Sequence, residues 1–160
     1  MAKRLHSMLQ FTNKWRSKKW KIAAQVPPKL PTRQDFLNLV NSAKIVVFLP
    51  LPASEGAEGF YLPALEAMAM RKLVVCPHAI GNIDFCIPNE TCILPKYNLI
   101  SLYNGALKAL KLKAEEKERI INAGYKIVSN HDIELEKANL LKLLNQADEI
   151  WKDTSLFQGR

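Results

Sequence analysis

Several features that would place this chain in a specialised class of protein are scarce. The three cysteines, Cys76, Cys86 and Cys92, are odd in number and show no Cys-x-x-Cys spacing, so they do not indicate a disulfide framework. No apolar run reaches the roughly 18 residues that a transmembrane helix needs. The N-terminus is basic but lacks the apolar stretch and small-residue cleavage site of a secretory signal. We therefore expect reduced, partly buried thiols in a cytoplasmic protein.

Acidic residues are absent from residues 1–34, which hold nine of the 23 lysines and arginines. The other 14 basic residues are outweighed by the 15 acids, so the net charge of +8 belongs to this one segment. Such a segment suits anionic lipid, nucleic acid or an acidic partner, and it equally suits a solvated helix face. We expect contact with an anionic membrane through residues 1–21. We expect no nucleic acid, because no recognised nucleic-acid motif accompanies the basic residues.

The hydrophobic pattern predicts an α/β fold. A chain of 160 residues suits one domain. Apolar runs at residues 45–49 and 72–76 are typical of buried parallel strands, and a further strand is expected at residues 91–94. Alternation of these runs with helical patterns indicates βαβ units and a parallel sheet with flanking helices. The expected helices lie at residues 3–18, 32–43, 63–70, 99–112, 114–129 and 132–152.

Residues 58–70 form the segment best suited to chemistry, because they follow a buried strand and open a helix. Ligands of open α/β sheets bind at such junctions, where unpaired amides and the helix dipole favour phosphate. Gly59 has no Cβ and would let the backbone approach a ligand closely. Pro63 has no N–H, so amide donors would have to come from Phe60, Tyr61 and Leu62.

Glu58 and Glu66 are the two acids of this segment, with seven residues between them. Two carboxylates would repel a diphosphate, so near a nucleotide sugar they would accept hydrogen bonds from sugar hydroxyls. The alternative is that both acids stabilise the start of the helix through its dipole. The spacing alone leaves both interpretations open.

Residues 58–69 read E-G-F-Y-L-P-A-L-E-A-M-A and closely resemble a motif of retaining glycosyltransferases of group one, also called family four. The commoner form of that motif is E-G-F-G-L-P-x-x-E-A-M-A. The strand at residues 73–75, the loop at Gly81 and Asn82, and residues 91–95 also resemble this group, which extends the resemblance over roughly residues 30–152. It implies the Rossmann-like C-terminal domain of a GT-B enzyme, which holds the nucleotide-sugar donor.

The resemblance also implies a role for each motif residue. Glu58 would be the catalytic residue and would contact hydroxyls of the donor sugar. Glu66 would accept hydrogen bonds from the ribose, and the backbone between them would approach the sugar and the diphosphate, whose developing charge would be stabilised electrostatically. No metal and no cofactor are implied. The donor-binding residues are Gly59, Phe60, Tyr61, Leu62 and Glu66.

Two parts of the chain depart from the family pattern. Tyr61 stands where the commoner form has Gly, so its phenol must point away from the ligand pocket or cap it. Residues 70–72 replace a turn that usually contains Gly. The acceptor domain has no room, so we expect either a fragment or a short protein that works with a second chain or as a homo-oligomer. The alternative function is a non-catalytic interaction module with the same fold.

Three regions are expected along the chain. Residues 1–30 would form a basic helix and a strand at residues 20–26 that joins the sheet. Residues 31–152 would form the nucleotide-sugar-binding domain, and residues 153–160 a tail. Leu5, Met8, Leu9, Phe11 and Trp15 are expected on one side of the first helix. The protein is expected in the cytoplasm or peripherally at the inner face of a membrane.

Overall fold

Helices and short strands alternate along residues 1–16, 20–23, 32–52, 55–56 and 59–152, which are the residues described by the computed structural model. They belong to two compact units, Met1–Val128 and Ser129–Arg160. The predicted tail at residues 153–160 and the predicted boundary near residue 30 lie outside the described residues. The elements are α1 (Ala2–Trp15), α2 (Arg33–Ser42), β1 (Ile45–Val47), α3 (Leu62–Ala69), β2 (Leu73–Val75), α4 (Leu99–Lys111), α5 (Ala114–Val128), α6 (Ile133–Asn145) and α7 (Ala147–Lys152).

The two strands form a parallel sheet, as predicted. Ile45 of β1 lies opposite Leu73 of β2, and the register continues to the ends of both strands. The expected strand at residues 91–94 is reduced to a parallel bridge between Val75 and Ile93. In this bridge the Ile93 amide donates to the Val74 carbonyl at 2.9 Å. The α/β fold class with flanking helices is confirmed.

Helix α3 crosses over the sheet and carries much of the core. Its Ala64, Ala67 and Met68 are fully buried, and they belong to the same apolar cluster as Val74 and Phe85. Apolar side chains on successive turns of the helix give it the buried stripe that a βαβ crossover needs. Burial of this stripe fixes the orientation of α3, and therefore the direction in which its N-terminal turn points.

The three cysteines are free and buried, as expected. Their side chains interact with one another inside the core cluster. The hydrogen bond with Cys76, together with burial, raises the pKa of Cys86, and the hydrogen bond with Cys86, together with burial, raises the pKa of Cys92. Both thiols therefore stay protonated, and they contribute to the core as small apolar groups.

The predicted strand at residues 20–26 is wrong for the part that the structure describes, because residues 20–23 have no regular secondary structure. Both backbone polar groups of Trp20 are used by one side chain. The Trp20 amide donates to Asn13 Oδ1 at 3.1 Å, and Asn13 Nδ2 donates to the Trp20 carbonyl at 2.9 Å. A residue bonded in this way cannot take part in a strand ladder.

The prediction of one inward side for α1 is also wrong. Leu5 and Leu9 are buried in a cluster with Leu102 and Ala106 of α4, whereas Phe11 and Trp15 are exposed. The helix period places these two aromatic residues about 120° from the leucines. Among the described residues, the leucine face packs against α4, and the two aromatic residues are left exposed.

The second unit contains a short 3₁₀ turn followed by α6 and α7. Asp132 begins α6, because its side chain accepts from the Glu134 amide at 2.9 Å. The predicted single helix over residues 132–152 is divided at Gln146, whose amide is shared between the Lys142 and Leu143 carbonyls. Such tightening of the last turn ends a helix. None of the described helices combines the length and hydropathy needed to cross a bilayer.

The turn after α3 has Arg71 in a backbone conformation that usually requires glycine. The Arg71 amide donates to the Met68 carbonyl and the Lys72 amide to the Ala67 carbonyl, both at 3.0 Å, which is a Schellman motif. Its C′ residue is Arg71, with φ +56°, a conformation that favours glycine. The Arg71 guanidinium lies 3.9 Å from the Tyr125 ring centroid and donates to Asn122 Oδ1 at 2.8 Å. These two contacts offset the backbone strain.

Arg71→Ala and Arg71→Gly should therefore differ in stability. Both variants lose the contacts with Tyr125 and Asn122, but only the alanine variant keeps a Cβ in the left-handed conformation, which costs about 1 kcal/mol. We expect Arg71→Gly to be the more stable of the two by about that amount in urea unfolding. Equal unfolding free energies would show that the positive φ carries no strain.

Candidate functional site

The candidate site lies at the carboxyl ends of the two strands. The chain leaves β1 and returns to start α3 at Leu62, and it leaves β2 to form the 3₁₀ turn Ile80–Asn82. The Tyr61 amide donates to the Gly81 carbonyl at 2.8 Å, which holds these two loops together. Because β1 and β2 are parallel neighbours, both loops lie at the edge where α/β sheets bind ligands.

Asn82 fixes the loop that follows β2. It is fully buried, its Oδ1 accepts from the Ala79 amide at 2.9 Å, and its Nδ2 donates to the Pro77 carbonyl at 3.0 Å and to Cys76 Sγ at 3.4 Å. A buried amide with these partners holds the 3₁₀ turn in one conformation. The resemblance drew attention to residues 81 and 82, but the sequence carried no signal for this anchoring role.

Glu66 lies on the second turn of α3, and its side chain is 15% exposed. Its Oε1 accepts a hydrogen bond from Nη2 of Arg33, the first residue of α2, and the two side chains form an ion pair. The Arg33 side chain is 66% exposed. Sequence reasoning missed Arg33 because no spacing rule connects residues 33 and 66. The one available signal was its place directly after the helix-capping residue Thr32, whose Oγ1 accepts from the Asp35 amide at 3.1 Å.

Gly59 and Phe60 lie on the open side of the loop before α3. A Cβ built on Gly59 would meet nothing within 4 Å, and its φ is outside the positive range that favours glycine. Phe60 is about half exposed, and its ring centroid lies 5.5 Å from that of Phe85. Neither backbone conformation nor packing requires glycine at residue 59, so space remains there for a ligand.

Tyr61 turns away from this open side. It is 8% exposed, and its ring packs edge-on against Phe48 with centroids 5.9 Å apart. Of the two orientations that the sequence left open, the phenol therefore takes the one that points away from the open surface. Tyr61 is part of the main core cluster.

Two of the amides that were expected to bind the diphosphate donate to backbone carbonyls in this structure. The Tyr61 amide is bonded to the Gly81 carbonyl, and the Leu62 amide donates to the Phe60 carbonyl at 3.1 Å. The second bond closes a γ-turn at Tyr61, whose φ and ψ are −90° and 74°. Both amides are thus bonded within the protein in this conformation, and their role in donor binding stays a prediction. Leu62 itself is exposed at the surface of the loop. Glu58 lies outside the described residues, and its position relative to Glu66 stays a prediction.

Comparison with known proteins gives matches among solved structures. No protein-family model matches the chain, and no curated protein matches it significantly. The C-terminal domain of a glycosyl transferase group 1 family protein from Francisella tularensis superposes with a TM-score of 0.53 at 22% identity, over 79% of this chain and 62% of that domain.

Two longer proteins also match. A glycosyltransferase from Rickettsia africae has a TM-score of 0.58 at 22% identity, over 94% of this chain and 36% of that protein. A sucrose-phosphate synthase from Thermosynechococcus elongatus has a TM-score of 0.56 at 22% identity, over 91% of this chain and 34% of that protein. This chain thus spans about a third of the length of the two larger proteins. The described chain has the fold of the Rossmann-like C-terminal domain of a GT-B glycosyltransferase.

Proposed function

We propose that this chain is the donor-binding domain of a retaining glycosyltransferase, which moves a sugar from a nucleotide-diphosphate sugar to an acceptor. The observation that carries the proposal is the position of Glu66. Its carboxylate is largely but not fully buried beside the first turns of α3, at the strand edge where nucleotides bind in this class of fold. The unfilled space at Gly59 is a second point of support.

Glu66 can bind ribose while it remains paired with Arg33. A carboxylate has two oxygens with about four acceptor sites, and the ion pair uses Oε1. The remaining sites would accept hydrogen bonds from ribose hydroxyls. The Arg33 guanidinium would then face the diphosphate and provide the donors that the Tyr61 and Leu62 amides do not, since its planar fork suits phosphate geometry.

Transfer itself would need groups on both sides of the sugar. In our proposal Glu58 holds hydroxyls of the donor sugar and orients its anomeric carbon, while positive charge at the α3 junction stabilises the departing diphosphate. The acceptor site is supplied by residues beyond this domain. These residues belong to a longer form of the chain, to a second chain or to another copy in a homo-oligomer. The proposed enzyme acts in the cytoplasm.

A second candidate function is a non-catalytic interaction module with the same fold. Two observations favour it. The Tyr61 and Leu62 amides are both bonded within the chain, and the Glu66 carboxylate is already ion-paired. The two functions differ in one measurable property, which is specific binding of nucleotide sugars.

Glu66 and the ribose hydroxyls should form one coupled pair. We expect UDP-, GDP- or ADP-sugars at millimolar concentration to raise the melting temperature, and Glu66→Ala to weaken binding of the preferred donor about 10- to 100-fold, as for loss of a hydrogen bond to a charged group. A 2′-deoxyribose form of the donor should lose much of its affinity for the wild type and little further affinity for the variant. Calorimetric titration measures both losses.

Glu118→Ala is the matched control for this cycle, because Glu118 is an exposed glutamate in the middle of α5. It should bind all ligands like the wild type. Additive losses from Glu66→Ala and from the missing hydroxyl would separate Glu66 from the ribose. Failure of every nucleotide sugar to bind would favour the interaction module.

Gly59→Ala should impair ligand binding without impairing folding. Because the added methyl group meets no protein atom within 4 Å, the unfolding free energy should change by no more than about 0.5 kcal/mol. We expect about tenfold weaker donor binding, since the methyl occupies space where backbone and ligand would meet. Gly105→Ala is a control outside the site: its Cβ would contact Pro95 Cβ at 3.2 Å, and donor affinity should stay that of the wild type. Donor affinity unchanged in Gly59→Ala would remove this residue from the site.

Glu58→Gln should affect the sugar and not the nucleotide. If Glu58 holds hydroxyls of the donor sugar, the wild type binds the nucleotide sugar more tightly than the nucleoside diphosphate. The variant should lose that difference and keep its affinity for the diphosphate. Titration with both ligands measures the ratio, and Glu55→Gln serves as the control in the same loop. A ratio that stays the same in Glu58→Gln would reject the assigned role.

A further inference from the structure

Helix α1 has two apolar faces, and among the described residues of its unit only one of them is covered. Leu5 and Leu9 are buried against α4. Phe11 and Trp15 lie one helical turn apart on another face and are 70% and 72% exposed. Two large aromatic side chains exposed side by side on a helix whose leucine face is buried indicate an interaction surface.

The residues around this aromatic pair are basic and apolar. Arg4 and Met8 follow the same stripe of the helix as Phe11 and Trp15, and Lys14 lies beside it. The Arg16 guanidinium lies 5.8 Å from the centroid of the Trp15 ring. We call Arg4, Met8, Phe11, Lys14 and Trp15 the aromatic face; α1 contains no acidic residue.

A shallow groove of about 320 Å³ continues the aromatic face toward α4. It is lined by Ser7, Met8, Phe11, Thr12 and Tyr103. The hydroxyls of Thr12 and Tyr103 bond to each other at 2.6 Å, so the polar groups at its base already have partners. The groove therefore offers apolar surface to an incoming group.

We propose that the aromatic face binds the surface of an anionic phospholipid bilayer. Phe and Trp favour the boundary between headgroups and acyl chains, and flanking Lys and Arg reach anionic headgroups while their stems lie along apolar surface. Because packing of the leucine face against α4 already keeps α1 helical, the helix would not have to fold on the membrane when it binds. The apolar Phe11, Met8 and groove favour lipid over nucleic acid, which would leave them in water. This proposal is independent of sugar transfer.

Vesicle co-sedimentation tests the proposal with the full chain. We expect binding to phosphatidylcholine vesicles that contain about one third phosphatidylglycerol, and much weaker binding to phosphatidylcholine alone. Phe11→Ser with Trp15→Ser should reduce binding at least tenfold. Arg4→Gln with Lys14→Gln should reduce it about fivefold per charge, and raised salt should have a similar effect. All four side chains are exposed, so these variants should fold.

Matched controls use exposed residues elsewhere. Ile83→Ser removes a large exposed apolar side chain and Lys96→Gln an exposed positive charge elsewhere in the chain, and both variants should bind vesicles like the wild type. In a variant with Trp20→Phe and Trp151→Phe, Trp15 is the remaining tryptophan, and its emission should shift to the blue on binding. Equal binding to neutral vesicles, full binding after loss of both aromatic residues, or preference for an RNA oligonucleotide over vesicles would each overturn the proposal. The proposal would also be overturned if the wild-type chain formed a dimer and the Phe11→Ser and Trp15→Ser changes dissociated it.

Discussion

The hydrogen bond from the Tyr61 amide to the Gly81 carbonyl, at 2.8 Å, determines the geometry of the candidate site. It joins the loop before α3 to the loop after β2, and Asn82 holds the second loop from inside the core. Helix α3 has no side-chain cap at its start, so this cross-loop bond takes over part of that positioning. One consequence follows directly. An amide that locates the helix start in this way is bonded within the protein, so the donors in the proposed diphosphate site include side chains such as Arg33.

The sequence predicted the parts of the fold that depend on neighbouring residues. The apolar runs of β1 and β2 and the Thr32–Asp35 cap of α2 are local signals, and each element lies where its signal placed it. The errors concern contacts between distant elements or choices between equivalent faces. Asn13 bonds the backbone of Trp20 and prevents a strand there. In α1 the period shows which apolar residues share a face, but it cannot show that the leucine face packs against α4 while Phe11 and Trp15 stay exposed.

The candidate site was predictable to the same extent and for the same reason. Its place at a strand–helix junction and the identity of Glu66 follow from a short motif, whereas the Arg33–Glu66 pair joins side chains far apart in sequence. The glycines show a similar division. A Cβ on Gly124 would lie 3.1 Å from the Thr91 carbonyl oxygen, so close packing favours glycine there, whereas no atom of the described residues lies within 4 Å of a Cβ built on Gly59. Among the described residues of the motif, Gly59 is therefore one that packing does not explain.

The strong positive charge of residues 1–34 is divided among separate structural tasks. Arg33 is paired with Glu66 at the strand edge, and Arg16 lies over the Trp15 ring. Arg4 and Lys14 remain at the exposed aromatic face. Net charge alone therefore predicts a single basic surface, whereas the structure separates a cation at the candidate donor site from cations around exposed aromatic rings. Arg33 belongs to α2, whereas Arg4 and Lys14 belong to α1, so the positive charge at one site can be changed without changing the other. Membrane binding and donor binding can accordingly be measured, and can fail, independently.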